Sequence, residues 1–372
     1  MARLGLGARW RCVFANEWCP KKAAAYRAHF GRSENLLTGD VRELSPQDLP
    51  GAVDLAWASF PCQDLSLAGA GAGLAGERSG TFTAFSSLIQ KLGQEGRAPK
   101  VIALENVVGA ITSHKGKDFE SILRSLIEGG YRLGGLVLDA IRFVPQSRPR
   151  LFFVALRRDL TIPPNLTTKW PNPTWHPPAL MKAYAALPAL LQKEWIWWNF
   201  PGPTASIPTL SDLIEDVPRD VRWHTAEETQ KLLSMMSEVN RRKVTEARSS
   251  GLPTIGTIYK RTRPLENGVK TQRAEVRFDE ISGCLRTPVG GSSRQTVLLV
   301  TGKETKSRLL SAREAARLMG VPESYPTPTN YNDAYHLFGD GVAVPVVSWL
   351  EKHLLRPLAL ANSNRRLSQA AA

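Results

Sequence analysis

The sequence predicts an α/β fold, a parallel sheet assembled from strand–helix–strand units and interrupted by an insert of different character. Three observations carry this. Strand-like and helix-like runs alternate from the N-terminus to about Leu156. From about Thr161 the chain turns rich in Pro and Trp, with Trp170, Trp175, Trp195, Trp197, Trp198 and Trp223 in one tract. Between Arg241 and Arg308 there are fifteen Lys or Arg against six Asp or Glu, most of the chain's net charge of +14. With 372 residues the chain can bury a large core, and its length suggests two domains.

The elements follow in order. Met1 to Trp10 reads as part of a helix leading into a turn, and Arg11 to Glu17 as a strand ending on an acid. Pro20 to Phe30 is a helix with Pro at its start and Gly31 after its end. A turn closes on Thr38-Gly39-Asp40-Val41, and the apolar run Val53 to Ala58 is a short buried strand. Next comes Ser59-Phe60-Pro61-Cys62-Gln63-Asp64-Leu65-Ser66, then a loop dense in Gly and Ala from Leu67 to Gly80. Phe82 to Leu92 has helical apolar spacing, and Lys100 to Val107 is a strand ending in Glu105-Asn106-Val107. A helix over Asp118 to Gly129 leads to a strand-like run from Tyr131, then Gln146-Ser147-Arg148-Pro149-Arg150 and the apolar strand Leu151 to Leu156. A domain boundary is expected near residue 160. Ser311 to Gly320 reads as a helix with a capping box from Ser311 and Glu314. Gly339-Asp340-Gly341 precedes a last helix through Leu354, and the tail 359–372 is expected to be disordered.

The sequence pI near 9.8 suggests an acidic partner, most simply nucleic acid, although a solvated basic surface would also account for it. The basic segment is the best candidate for a phosphate-binding face. Within it the polar loop Leu285 to Gln295 carries Arg286 and Arg294, which could reach base edges or backbone; an ordinary surface loop is the alternative. The four cysteines, Cys12, Cys19, Cys62 and Cys284, are too scattered for a disulfide framework or a zinc site, so a reducing cytosolic setting fits best and no metal is expected. No apolar run is long enough for a membrane span, and no signal-peptide core is present.

Several residues stand out for chemistry. Cys62 ends a strand and opens a flexible loop, where open α/β sheets place ligands; a buried free cysteine explains it equally well at this level. Glu105 would lie on the same sheet edge. Arg148 and Arg150, at alternate positions, point to one face if the backbone is extended and suit an anion or carboxylate. Glu17, at the end of a strand in a βαβ unit, suits ribose hydroxyls or a structural cap, and Trp18 offers a flat face.

Taken together and in register, Pro61-Cys62-Gln63, Glu105-Asn106-Val107, Gln146 to Arg150, the segment Arg308 to Tyr325 and Gly339-Asp340-Gly341 resemble the DNA cytosine-5 methyltransferases. The match covers residues 10–157 and 305–352. The resemblance implies a Rossmann-like, S-adenosylmethionine-dependent methyltransferase domain in 1–160 and 306–358, with a smaller inserted target-recognition domain in 161–305. It implies that Cys62 adds as thiolate to C6 of a flipped-out cytosine, that Glu105 hydrogen-bonds N3 and the exocyclic amine, and that Arg148 steadies the base. Arg150 would brace Glu105 or the loop and, with Gln63, Ser66, Arg286 and Arg294, face DNA. Glu17 would hold the cofactor ribose, Trp18 the adenine face and Asp40 the adenine amino group, with Val41, Pro61 and Asp340 lining the same pocket. The implied partner is double-stranded DNA, with a cognate restriction endonuclease as a functional companion. A cytoplasmic, nucleoid-associated monomer is expected.

The sequence departs from the family in two places. The aromatic residue and Gly-rich turn that follow the family's first strand are absent, and Met1 to Leu6 fits the helix after that turn. An upstream start codon is therefore expected, with weak activity in its absence. Asp340 stands where the family usually has Asn, and an ionised Asp accepts but cannot donate. The rival readings are a cytosine methyltransferase of RNA and a non-catalytic DNA-binding remnant. A dinucleotide oxidoreductase fails because no G-x-G-x-x-G follows a first strand.

Overall fold

The computed structural model describes residues 1–31, 34–60, 80–264, 270–287 and 294–363. The first helix, α1 (Ala2–Leu6), is followed by β1 (Ala15–Glu17), α2 (Pro20–Phe30) and β2 (Leu36–Thr38), with β1 and β2 parallel. A second sheet holds β3 (Leu55–Ser59), β4 (Val101–Val107), β5 (Tyr131–Asp139) and β6 (Pro149–Arg157) in the order β3-β4-β6-β5. β3 and β4 are parallel, joined through α3 (Gly80–Gln94), and α4 (Lys117–Glu128) joins β4 to β5. β6 runs antiparallel to both its neighbours, so the sheet is mixed rather than wholly parallel as expected. The reason is the short connection from β5 to β6, which can make a hairpin but cannot make a parallel crossover. Among the described residues β1 and β3 each have one hydrogen-bonded strand neighbour.

Period-two alternation decides the two faces of the larger sheet. Val101 and Ala103 of β4 and Phe152, Val154 and Leu156 of β6 enter one core, while Ile102, Leu104, Leu151, Phe153 and Ala155 enter the other. On the second face α4 presents Phe119, Ile122, Leu123 and Leu126 at helical spacing, and α3 adds Phe82, Ile89 and Leu92. On the first face lie the helices Ala312–Leu318, Tyr331–Gly339 and Val344–Leu350, with Leu318, Phe338 and Leu350 fully buried.

The Pro- and Trp-rich tract is part of this body, which corrects the boundary expected near residue 160. Trp175 and Trp198 are fully buried in the first core, and in the second Leu180 is fully buried with Trp195 packed beside it, largely buried. Segment 194–196 docks on the edge of β5: Leu133 N donates to Glu194 O at 3.1 Å and Ile196 N to Leu133 O at 2.8 Å. A Cβ on Gly134 would come within 1.9 Å of Ile196 O, so only glycine admits this approach. Docking there covers an edge that would otherwise be open to another chain.

The insert has its own smaller core. β7 (Thr254–Pro264), β8 (Lys270–Arg277), β9 (Thr296–Thr301) and β10 (Glu304–Leu309) form an antiparallel sheet in the order β10-β9-β7-β8. Leu232, Val244, Ile258, Ala274, Val276 and Leu298 pack between it and the helices Ala226–Ser234 and Glu238–Ser249. The expected boundary after residue 305 falls inside β10, which carries the chain straight from this sheet into the main body.

Where β10 ends, Arg308 is fully buried and ion-pairs with Glu314 at 2.6 Å. Glu314 also caps Ser311 in the anticipated capping box, and Arg308 donates to Glu215 O at 2.7 Å. Removing one partner strands a buried charge. Arg308→Met is expected to lose about 3–5 kcal/mol of stability in urea unfolding, and Arg308→Met with Glu314→Leu less than Arg308→Met alone.

Candidate active site

The register of β3 on β4 sets Ser59 opposite Glu105. Cys62 follows three residues later; with Pro61, Gln63 and Ser66 it lies outside the described residues. The chain is anchored as it approaches them, for Asn106 Nδ2 donates to Phe60 O at 3.5 Å and Phe60 packs on Phe82. Glu105 is only 7% exposed, and Arg150 Nε lies 3.2 Å from its Oε1. Antiparallel pairing makes that contact: Val107 is opposite Arg150, so the arginine reaches back along β4 to the carboxylate.

Arg148 has a different destination from the one expected. Its guanidinium is buried and donates to the carbonyls of Leu285 at 2.8 Å, Gly339 at 2.8 Å and Gly341 at 2.6 Å. Engaged with three carbonyls, it braces the backbone, and the arginine beside Glu105 is Arg150. Burial lowers the Arg148 guanidinium, and the neighbouring Arg150 adds to this. The alternation expected of the pair does hold, since both guanidinium groups converge on Cys284, Arg148 Nη1 at 3.3 Å and Arg150 Nη2 at 4.0 Å from its Sγ. Burial works to raise that thiol, but Arg148, Arg150 and Arg286 outweigh it and hold the thiol below its ordinary value. Cys62 is thus not the only cysteine in a chemically notable setting. The sequence shows no sign of this setting for Cys284, because the two arginines that hydrogen-bond it come from 134 and 136 residues away. Gln146 was in a marked motif but without a role: fully buried, it donates to Leu318 O at 2.7 Å and accepts from Leu285 N at 3.0 Å.

Glu17 and Asp40 stand at the carboxyl ends of adjacent parallel strands, joined by Gly39 N donating to Glu17 O at 3.2 Å. Glu17 Oε1 accepts from Cys19 N at 3.0 Å, capping the start of α2, so the cap weighed for it is present. The other carboxylate oxygen has no hydrogen bond among the described residues, as an acceptor for a ribose diol requires. Trp18 is 71% exposed beside it. Asp40 is held below the usual carboxylate range by Arg42, which binds it through its side chain and backbone N–H, and Val41 opens the short turn that follows. These residues fit an adenosine-bearing cofactor in donor set and placement. Asp340, at the end of the helix Tyr331–Gly339, accepts from Lys22 Nζ at 2.6 Å and from Thr287 Oγ1.

Of the two insert arginines, Arg286 is exposed. Arg294 turns inward, stacking over Tyr331 at 5.6 Å and donating to Asn332, which departs from the outward reach expected of it. No helix among the described residues is long and apolar enough to cross a membrane.

A mixed sheet with Glu105 at a strand end, helices on both faces and a smaller antiparallel sheet inserted defines a Rossmann-like α/β fold. The particular family follows from comparison. The profile of the C-5 cytosine-specific DNA methylases matches residues 2–356, and the chain belongs to that family, whose members use S-adenosylmethionine. It is 24% identical over 340 residues to the Type II methyltransferase M.HhaI of Haemophilus parahaemolyticus, covering 91% of this chain and 86% of that one. To the Type II methyltransferase M.HpaII of Haemophilus parainfluenzae it is 25% identical over 359 residues, covering 94% and 84%. Among solved structures, the Dnmt2 methyltransferase of S. pombe superposes with a TM-score of 0.51 at 19% identity, over 95% of this chain and 92% of that one, a likeness of fold.

The two arginines are expected to separate experimentally. Arg148→Met should lose about 2–4 kcal/mol in urea unfolding, because three carbonyls lose their donor. Arg150→Met should lose stability too, because the buried Glu105 carboxylate loses its partner, but it should in addition slow methyl transfer by the folded protein on the order of 10²-fold.

Proposed function

We propose that this enzyme methylates C5 of a cytosine flipped out of duplex DNA, through a covalent bond between Cys62 and C6. The observation that carries the reading is the buried Glu105–Arg150 pair, set by strand register beside the end of β3 from which the chain runs to Cys62. Cytosine C5 is a poor nucleophile until a thiolate adds at C6. The new S–C6 bond pushes an electron pair through C5 into the ring, toward N3. Glu105 hydrogen-bonds N3 and the exocyclic amine and supplies the proton that N3 takes up. Arg150 fixes the carboxyl group in place and adds a positive charge where the ring gains electrons. Arg148 holds the neighbouring backbone without touching the base. S-adenosylmethionine, held by Glu17, Trp18 and Asp40, supplies an electrophilic methyl group when bound. Loss of the C5 proton to solvent water then expels the Cys62 thiolate, and N3 returns its proton to Glu105, which regenerates the enzyme.

Duplex DNA is the substrate that the basic insert and the family favour, with Arg286 at its exposed face. A companion endonuclease that reads the same DNA site and acts separately fits the Type II names of the relatives.

Four measurements test this. Bisulfite sequencing of DNA from cells expressing the protein should show a methylated cytosine in a fixed context, and transfer to duplex DNA should exceed transfer to tRNA when both are offered. Cys62→Ser should abolish it, a loss of at least about 10³-fold, and Glu105→Gln should slow it by about 10²–10⁴-fold. A duplex carrying 5-fluorocytosine, whose fluorine cannot leave as a cation, should trap the wild-type protein in a denaturant-stable complex and Cys62→Ser in none. Absence of the trapped complex alongside normal transfer would sink the covalent route.

A further inference from the structure

Cys284 belongs to the insert, in the segment that follows β8, yet its side chain meets the arginine motif of the body. Backbone contacts fix that segment on both sides of the cysteine. Ser282 bonds to Ser147 and Pro145, Gln146 Oε1 accepts from Leu285 N at 3.0 Å, and Gln295 Nε2 donates to Cys284 O at 3.3 Å. The fold thus places the sulfur, 3.3 Å from Arg148 Nη1 and 4.0 Å from Arg150 Nη2. Arg150 divides its donors among three acceptors: Nη1 goes to Pro149 O at 2.9 Å, Nη2 faces Cys284, and Nε lies 3.2 Å from Glu105 Oε1. A guanidinium is a planar fork, so acceptors on its outer nitrogens set the angle at which Nε meets the carboxylate.

Charge gives the sulfur a task. Arg148 and Arg150 are like charges at alternate positions of one strand; Arg150 works to lower the Arg148 guanidinium, while Cys284 and Glu105 work to raise it. An anionic sulfur between the two lets both stay charged away from water. Arg148, Arg150 and Arg286 together outweigh burial and hold the thiol below its ordinary value. Sγ also lies 3.4 Å from Leu285 O, but that carbonyl already accepts from Arg148 Nη1 at 2.8 Å and does not need the thiol proton. Tyr335, on the helix beside this segment, is pushed up to about 12 by burial and stays neutral while the thiol ionises.

We propose that Cys284 is a positioning residue for methyl transfer: its sulfur, delivered by the insert, draws the outer edge of the Arg150 guanidinium and so keeps Nε on Glu105. This rests on the function given above and adds to it a second cysteine, which never bonds to the base. The sulfur acts through Arg150 alone. A charge-assisted bond is roughly twice as strong as a neutral one, so a serine hydroxyl in its place keeps the shape and a weaker bond but loses the charge.

The test uses the whole chain and has two parts. Methyl transfer to a cytosine-containing duplex is measured, per folded molecule, for wild type, Cys284→Ser, Arg150→Met and the double variant. Cys284→Ser should lower kcat on the order of fivefold, with KM for the duplex and for S-adenosylmethionine unchanged. In the Arg150→Met background the same substitution should cost nothing further, as expected of a residue acting through Arg150. The second part reads the sulfur directly, by the ultraviolet absorbance of its thiolate against pH, as the difference between Cys62→Ser and Cys62→Ser with Cys284→Ser. The midpoint should lie below the ordinary thiol value of about 8.5 and rise when Arg150→Met is added. A midpoint at or above the ordinary value, or an equal loss of kcat with and without Arg150, overturns the proposal. If wild type transfers no methyl group, or Arg150→Met transfers at the wild-type rate, the function given above fails and this inference falls with it. A slow Arg150→Met beside a Cys284→Ser of wild-type rate removes the inference alone.

Discussion

The pairing of β4 with β6 is the constraint on which the rest of the site depends. A strand ending in Glu105 could leave its carboxylate in a largely dry sheet edge only if a partner accompanied it there. The hairpin return of β6 supplies that partner, since antiparallel register brings Arg150 alongside the end of β4. The same turn, two residues earlier, delivers Arg148 to the carbonyls beneath the Gly339–Gly341 turn. One reversal of chain direction therefore organises both the base side of the site and its support.

The insert is bound to the body by backbone as much as by side chains. Ser147 N donates to Ser282 O at 3.0 Å and Ser282 N to Pro145 O at 2.8 Å, a short ladder between the arginine motif and the segment that follows β8 within the insert. Gln146 closes it from both sides by holding Leu285 N and Leu318 O. At the other junction the buried Arg308–Glu314 pair fixes where β10 becomes body. Motifs that look unrelated in sequence are thus the hinges of one attachment, which gives a basic sheet with its own small core a defined orientation over the carboxylate edge.

Much of the fold was legible. α2 was expected over Pro20 to Phe30 and is found there, because Pro at its start and Gly after its end are local signals. The capping box at Ser311 and Glu314 was read for the same reason. The extent of the second domain was misjudged at Trp175 and Trp198, whose tract looks like a new domain by composition but fills the first core. Composition reports what a segment is made of and carries no information about which surface it buries.

What the sequence determined alone were the features set within a few residues: strand ends carrying Glu17 and Glu105, helix caps, the alternation of Arg148 with Arg150, and the excess of positive charge in the insert. Tertiary structure alone decided that Arg148 turns to backbone carbonyls, that Cys284 sits among three guanidinium groups, that Arg294 turns inward, and that Asp340 finds both Lys22 and Thr287. The physical reason is range. Propensity and periodicity act through a residue's own neighbours, whereas a buried or bridging polar group must be satisfied by whatever the fold brings beside it, from any distance along the chain.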